Sequence, residues 1–149
     1  YYNPNIYPYD EYLKRKEEQI KLIKEIDKSN NVDILDCDYD NDKYNALIKG
    51  LENEPERGNR CKVCYLMRME KTAETASENN YDYFCTTLSV SPYKNAEWIN
   101  EYGKELENKY NIKLLLKEVI SKNKELFEDK DIVERISTHP MALWRVREN

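Results

Sequence analysis

Two cysteines separated by two residues carry the strongest chemical signal in the sequence. Cys61 and Cys64 precede a segment with helical periodicity, and a turn that enters a helix can point both side chains in the same direction. Both thiols could then bind one metal ion or one iron–sulfur cluster, because the partial positive charge at a helix N-terminus favours the thiolate that a metal requires. The alternative interpretation is a pair of buried, apolar cysteines.

A single cysteine pair cannot complete a metal centre, since a tetrahedral zinc site and a four-iron cluster each normally take four ligands. Cys37 and Cys85 lie in apolar, strand-like segments and are predicted to be core residues. His139 stands beside Pro140 without an orienting partner, so we expect it to be structural or on the surface. The missing ligands are expected outside this chain. The strand-like start at Tyr1 agrees, because it predicts a fragment without its N-terminal part.

A second candidate site follows a predicted strand and precedes a predicted helix. Parallel sheets place their ligands at such positions, and the backbone amides of a helix start can bind a phosphate or a polar ring. Ser91, Lys94 and Asn95 are the candidate side chains, and an ordinary capped turn is the alternative. The three glycines are too scattered along the chain to form a phosphate-binding loop.

The composition indicates a helix-rich protein with reduced thiols. The 149 residues carry 36 % charged side chains and a net charge of -5, which argues against binding nucleic acid mainly by bulk electrostatics. No apolar run approaches the roughly 20 residues of a membrane span, and the chain does not open with a secretion signal. We therefore expect a cytoplasmic protein that does not act at a membrane, with cysteines free for metal or redox chemistry.

Helical and strand-like segments alternate along the chain. Helices are predicted at 10–28, 41–49, 64–79 and 95–110, and strands at 32–37, 81–88 and 112–116. A loop over 51–60 leads into Cys61, and Asp40 is a candidate N-cap for the second helix, which should stop at Gly50. The alternation predicts one α/β domain with a mainly parallel sheet flanked by helices, followed after 116 by a helical tail.

With these segments laid out, the sequence resembles the cobalamin-independent epoxyqueuosine reductase family. The resemblance rests on sequence blocks that occur in the family's order and cover roughly residues 1 to 116. These blocks are Tyr2 to Pro8 with Glu11-Tyr12, Gly50 to Glu52 with Glu54-Pro55-Glu56, Arg60 to Met69 with Thr72-Ala73, Tyr81 to Phe84, and Thr86 to Asn95. The tail over 117–149 diverges and lacks the Tyr-Cys-Gly-Cys segment in which the family usually ends.

The resemblance implies a Rossmann-like domain of the adenine-nucleotide-hydrolase kind, incomplete here at its N-terminus. It implies reduction of epoxyqueuosine to queuosine in tRNA, the last step of that modification, with electrons from a partner of unknown identity. A [4Fe–4S] cluster would be held by the pair that matches Cys61 and Cys64, together with an adjacent Cys-Cys pair that this chain lacks. The resemblance leaves room for an additional iron.

Within the resemblance, substrate contacts are assigned to Ser91, Lys94, Asn95 and Arg60, with Arg57, Arg60 and Arg68 as candidates for tRNA phosphates. No catalytic proton donor can be named. The 149-residue chain by itself is expected neither to hold a stable cluster nor to turn over substrate. The alternative is a non-catalytic module of the same fold that binds zinc or tRNA.

Overall fold

The computed structural model describes residues 1–26, 32–86, 96–114 and 141–144. Four helices and three strands lie within these ranges. They are α1 (Tyr9–Ile26), α2 (Asn41–Leu47), α3 (Asn59–Glu78), β1 (Tyr83–Thr86), α4 (Ala96–Tyr110), β2 (Lys113–Leu114) and β3 (Met141–Trp144). None of the described helices is both long and apolar enough to cross a membrane. Contacts divide the chain into two compact units, residues 1–52 and 53–149.

In the first unit, which contains α1 and α2, several tyrosines pack against one another. Tyr12 on α1 is buried, and its ring centroid lies 4.4 Å from that of Tyr39. The two rings are tilted relative to each other, an arrangement that aromatic pairs favour. The loop before α1 is held by the Tyr2 hydroxyl, which donates to Asp40 at 2.9 Å, and by the Asn41 amide, which donates to the Pro4 carbonyl at 2.7 Å. The two helices predicted here are therefore confirmed.

Both strands predicted in the first unit are wrong. Val32 to Cys37 has no regular structure, and the opening residues before Asn3 form no strand. A strand requires a ladder of hydrogen bonds to a neighbour. The Tyr1 amino group donates to the Leu35 carbonyl at 2.8 Å, but no ladder forms here among the described residues. The apolar run from Val32 to Cys37 was not sufficient to predict a strand, because an apolar pattern does not show whether a second segment is available to pair with it.

The second unit contains a three-stranded sheet in the order β2-β1-β3. β1 and β2 pair in parallel, with Tyr83 opposite Lys113, and α4 connects them. This β-α-β unit confirms the predicted α/β class, since parallel neighbours need such a crossover. The core below it joins α3, β1 and α4 through buried side chains, namely Tyr65, Met69, Ala73, Ala76, Phe84, Ile99, Leu106 and Ile112.

The third strand was not anticipated. β3 pairs antiparallel with β1, with Cys85 opposite Ala142, so the expected helical tail is corrected at Met141–Trp144. The helix predicted over 117–138 and the role predicted for His139 lie outside the described residues. The domain boundary predicted near Leu116 also stays a prediction, because almost everything that follows it is likewise outside them.

Candidate metal centre

A tight turn sets the start of α3, the helix that carries the cysteine pair. The Gly58 amide donates to the Pro55 carbonyl at 3.0 Å, and a carboxylate oxygen of Glu54 accepts the Asn59 amide at 3.0 Å. A Cβ at Gly58 would lie 2.5 Å from that carboxylate oxygen and 2.9 Å from the Pro55 carbonyl oxygen. Position 58 therefore requires glycine, because these oxygen atoms leave no room for a Cβ. Glu54 also accepts a hydrogen bond from one of the backbone amides that a helix leaves without a partner at its start.

Cys61 and Cys64 lie within the first two turns of α3, as predicted. Both are free thiols and both are half-buried, and Cys61 packs against the core of the second unit. Residues three apart on a helix are neighbours on its surface. One face of α3 therefore presents two sulfur ligands, the donors preferred by zinc and by iron–sulfur clusters.

The remaining ligands of such a centre are not found among the described residues. No group of three or more histidine, cysteine, aspartate or glutamate side chains comes together in residues 1–26, 32–86 and 96–114. Cys37 belongs to the first compact unit and is half-buried, and Cys85 lies in β1, as its strand-like segment predicted. The donor chemistry of Cys61 and Cys64 fits a thiolate-bound metal, of which they would provide two ligands.

Tyr65 lies beside the cysteine pair, a placement that the sequence analysis missed. Burial, followed by the electrostatic influence of Cys61 and Cys64 and of Glu56, raises the pKa of the Tyr65 hydroxyl to about 12. The charge of Arg68 acts on the same hydroxyl in the opposite direction. The sequence had indicated Tyr65 only as an apolar helix position, although its adjacency to Cys64 was a usable signal.

Arg68 is buried, which does not favour its predicted contact with a tRNA phosphate. Only 7 % of the residue is exposed, and its Nε atom has no hydrogen-bond partner in the part of the chain that the structure describes. Arg68 follows Cys64 by four residues and Cys61 by seven, so all three share one stripe of α3. A buried N–H donor without a partner among the described residues thus lies one turn after Cys64 and two turns after Cys61.

Three further cations lie at or near the start of α3. Arg57 is exposed and adopts a positive φ of 70°, and Arg60 is half-buried in the first turn. The ammonium of Lys62 lies 5.4 Å from the ring centroid of Trp98 on α4, a cation–π contact that ties the two helices together. Whether Arg57 and Arg60 contact a substrate remains a prediction.

The second candidate site falls outside the described residues. Ser91, Lys94 and Asn95 belong to the stretch 87–95 between β1 and α4. The helix predicted over 95–110 is confirmed as α4 (Ala96–Tyr110), whereas the predicted substrate contacts stay predictions.

Comparison with known proteins identifies relatives of the chain. The profile of the family described as "Epoxyqueuosine reductase QueH" matches residues 1–137, so the similarity extends beyond Leu116. The protein of that name from Acinetobacter baylyi is 47 % identical over 103 residues, which are 69 % of this chain and 45 % of the relative. Those from Streptococcus pyogenes and Staphylococcus epidermidis are 40 % and 39 % identical over 76 % of this chain, and over 45 % and 49 % of their own lengths.

The chain therefore spans a little under half the length of these three curated relatives. The match nevertheless includes nearly all of both described units, the turn at Gly58 and the cysteine pair of α3. This chain belongs to the epoxyqueuosine reductase QueH family.

Proposed function

We propose that the protein carrying this chain reduces epoxyqueuosine to queuosine in tRNA. The observation that carries the proposal is the placement of Cys61 and Cys64, two free thiols on one face at the start of α3, in a chain of the QueH family. The names of the relatives supply the reaction, since they are called epoxyqueuosine reductases.

Removing the oxygen of an epoxide to give an alkene consumes two electrons and two protons and releases water. A [4Fe–4S] cluster, bound through Cys61 and Cys64 and through ligands from outside the described residues, would supply those electrons. The half-buried face of α3 would hold the thiolates in place, and the core contact of Cys61 would fix the start of the helix. An additional iron and an external electron donor are further parts of this proposal.

Substrate recognition is proposed for Ser91, Lys94, Asn95 and Arg60. Arg60 precedes Cys61 directly, so a tRNA phosphate bound there would lie near the metal centre. The stretch 87–95 lies between β1 and α4, and the carboxyl end of a strand in a parallel pair is where α/β proteins bind ligands. The proposed fold of the whole domain is Rossmann-like, and its proposed compartment is the cytoplasm, where its tRNA substrate would be found.

The test uses the full-length native protein, reconstituted with iron and sulfide without oxygen. We expect iron, sulfide and broad visible absorption, and conversion of epoxyqueuosine to queuosine in tRNA when a chemical reductant is supplied. Replacing both cysteines (Cys61→Ser with Cys64→Ser) should abolish cluster binding and turnover, whereas Cys37→Ser should leave both unchanged. Mass spectrometry of digested tRNA measures the product.

Two outcomes would contradict the proposal. Stoichiometric zinc without visible absorption would instead favour the zinc-binding module. Unchanged queuosine in tRNA from cells without the gene would remove the enzymatic assignment, provided that the cells carry no second gene of this family.

A further inference from the structure

Arg68 is a buried cation, and its Nε–H has no hydrogen-bond partner among the described residues. Burying a polar group without a hydrogen bond is costly, and burying a charge is more so, unless a partner compensates it. Arg68 is more than nine-tenths buried, and Nε is shielded from solvent without a partner among the described residues. The hydrogen bond between Thr72 and Arg68, at 2.8 Å, uses the Arg68 carbonyl and leaves the guanidinium untouched.

The position of Arg68 on α3 indicates where that partner would lie. Side chains of a helix lean toward its N-terminus and cover the turn that precedes them. The turn before Arg68 carries Cys64, and the turn before that carries Cys61. The side chain of Arg68 is therefore expected to extend toward the stripe of α3 that carries both thiols.

We infer that Arg68 is a positioning residue that donates its Nε–H to a sulfur of the metal–thiolate centre on Cys61 and Cys64. This inference rests on the proposed metal binding by those two cysteines. Metal-bound thiolates are electron-rich acceptors, and hydrogen bonds from neighbouring groups orient the ligands and tune the metal. A cationic donor at this place would stabilise the thiolates against protonation and would stabilise the reduced, more negative form of a cluster.

The test compares Arg68→Met and Arg68→Lys with the wild type in the full-length native protein. Lys71→Gln is the matched control, because it removes one positive charge from the same helix, where Lys71 pairs with Glu74 at 2.9 Å. One measurement is the affinity of the metal-free protein for Co²⁺, followed by thiolate-to-cobalt absorption. The second is the reduction potential of the reconstituted cluster, and the third is the thermal midpoint of the metal-free protein.

For Arg68→Met we expect about 10- to 100-fold weaker Co²⁺ binding, the range typical of lost outer-shell partners. We also expect a more negative cluster potential, and a thermal midpoint of the metal-free protein that is equal to the wild type or higher, because an unpaired buried donor has been removed. Arg68→Lys should lie between Arg68→Met and wild type, since lysine keeps the charge but not the planar donor group. Lys71→Gln should match the wild type in all three measurements.

Several outcomes would overturn the inference. It fails if Arg68→Met leaves both Co²⁺ affinity and cluster potential unchanged in a protein that binds metal, or if only tRNA affinity falls. A lowered midpoint in the metal-free protein, with unchanged affinity and potential, would make Arg68 purely structural. A wild-type protein that binds neither Co²⁺ nor a cluster would instead overturn the proposed function, and this inference with it.

Discussion

Glu70 on α3 accepts a hydrogen bond at 3.0 Å from the hydroxyl of Tyr110, the last residue of α4. The same carboxylate forms an ion pair with Lys109 and accepts a longer hydrogen bond, of 3.4 Å, from the Tyr102 hydroxyl. The Glu70 carboxylate thus accepts hydrogen bonds from three side chains of α4. These contacts fix the packing of the helix that carries the cysteine pair against the helix that follows the predicted substrate stretch.

Glu70→Gln should destabilise the protein at neutral pH by roughly 0.5–1.5 kcal/mol, because a charged acceptor becomes a weaker neutral one. We expect a destabilisation near the lower end of this range, since solvent screens partly exposed ion pairs. Urea unfolding of the full-length protein at pH 7 measures the difference. Glu74→Gln is the control, because Glu74 pairs with Lys71 of its own helix, and the substitution should change the free energy of unfolding by no more than about 0.5 kcal/mol.

The stabilisation by Glu70 should disappear in acid. The hydrogen bond from Lys109, helped by those from Tyr110 and Tyr102, holds the pKa of the Glu70 carboxyl below its ordinary value of 4.5. A carboxyl whose pKa is lower in the folded state stabilises that state above its unfolded pKa, and this contribution is lost as the pH falls through the folded pKa. The unfolding free energies of wild type and Glu70→Gln should therefore converge below pH 4.5, and a constant difference down to pH 2 would contradict the assignment.

Gly103→Ala should destabilise the protein by about 1 kcal/mol, although alanine is the better helix former. A Cβ at position 103 would overlap the Cδ2 atom of Leu114 and would lie 3.3 Å from its Cγ and 3.4 Å from its Cδ1. The buried glycine in the middle of α4 therefore makes room for β2. In a Leu114→Ala background the same substitution should become neutral or stabilising by up to about 1 kcal/mol, and a double-mutant cycle in urea measures this coupling. Equal effects in the two backgrounds would exclude the steric explanation.

Gly58→Ala should weaken metal binding by moving the start of α3. The backbone at Gly58 is extended, so alanine could adopt its dihedral angles, and the obstacle is contact with Glu54 and Pro55. The Pro55 carbonyl cannot rotate away as a side chain can, so the turn itself has to shift. We expect roughly tenfold weaker Co²⁺ binding in the full-length protein, similar to the loss of an outer-shell partner. Gly50→Ala is the control, because a Cβ at position 50 would contact no other atom. Alanine would strain the backbone there, at a φ of 87°, but this strain would lie in the first unit and not in the unit that carries the cysteine pair.

Tyr12→Phe should leave the stability at pH 7 unchanged or raise it by up to about 1 kcal/mol. The Tyr12 hydroxyl is buried without a hydrogen-bond partner in the described residues, so its removal eliminates an unsatisfied polar group. Tyr7→Phe is the control, because Tyr7 is 78 % exposed and its substitution should have little effect. A loss of more than about 1 kcal/mol for Tyr12→Phe would show that the hydroxyl contributes a favourable contact.

Tyr12 should also make the wild type sensitive to alkaline pH. Burial raises the pKa of the Tyr12 hydroxyl from 10.0 to about 12. The unfolded chain then ionises before the folded one, so stability is intact below pH 10 and is lost as the pH rises toward 12. Tyr12→Phe should lack this part of the decline, which urea unfolding between pH 9 and pH 11.5 measures. Parallel curves for the two proteins would contradict the pKa assignment.

Local sequence patterns were sufficient to predict the helices and to place the cysteine pair. Helical periodicity is a local property, and the apolar positions that it indicated in α3 are all buried, namely Tyr65, Met69, Ala73 and Ala76. Cys61 and Cys64 could be placed at a helix start because the loop residues and the periodic run that follows lie next to them in sequence. Motif blocks added the family, which the comparisons then established.

The strands, and the side chains that surround the site, depend on long-range contacts that local patterns did not predict. Val32 to Cys37 has the pattern of a strand but forms no strand in the described structure. Met141–Trp144 does form a strand, because an edge of β1 is open to pair with it. Arg68 and Glu70 look alike in sequence as charged residues of a surface helix. Yet Arg68 is buried with no partner for Nε among the described residues, whereas Glu70 binds three donors from α4. Pairing and burial depend on groups distant in sequence, and local pattern carries no information about them.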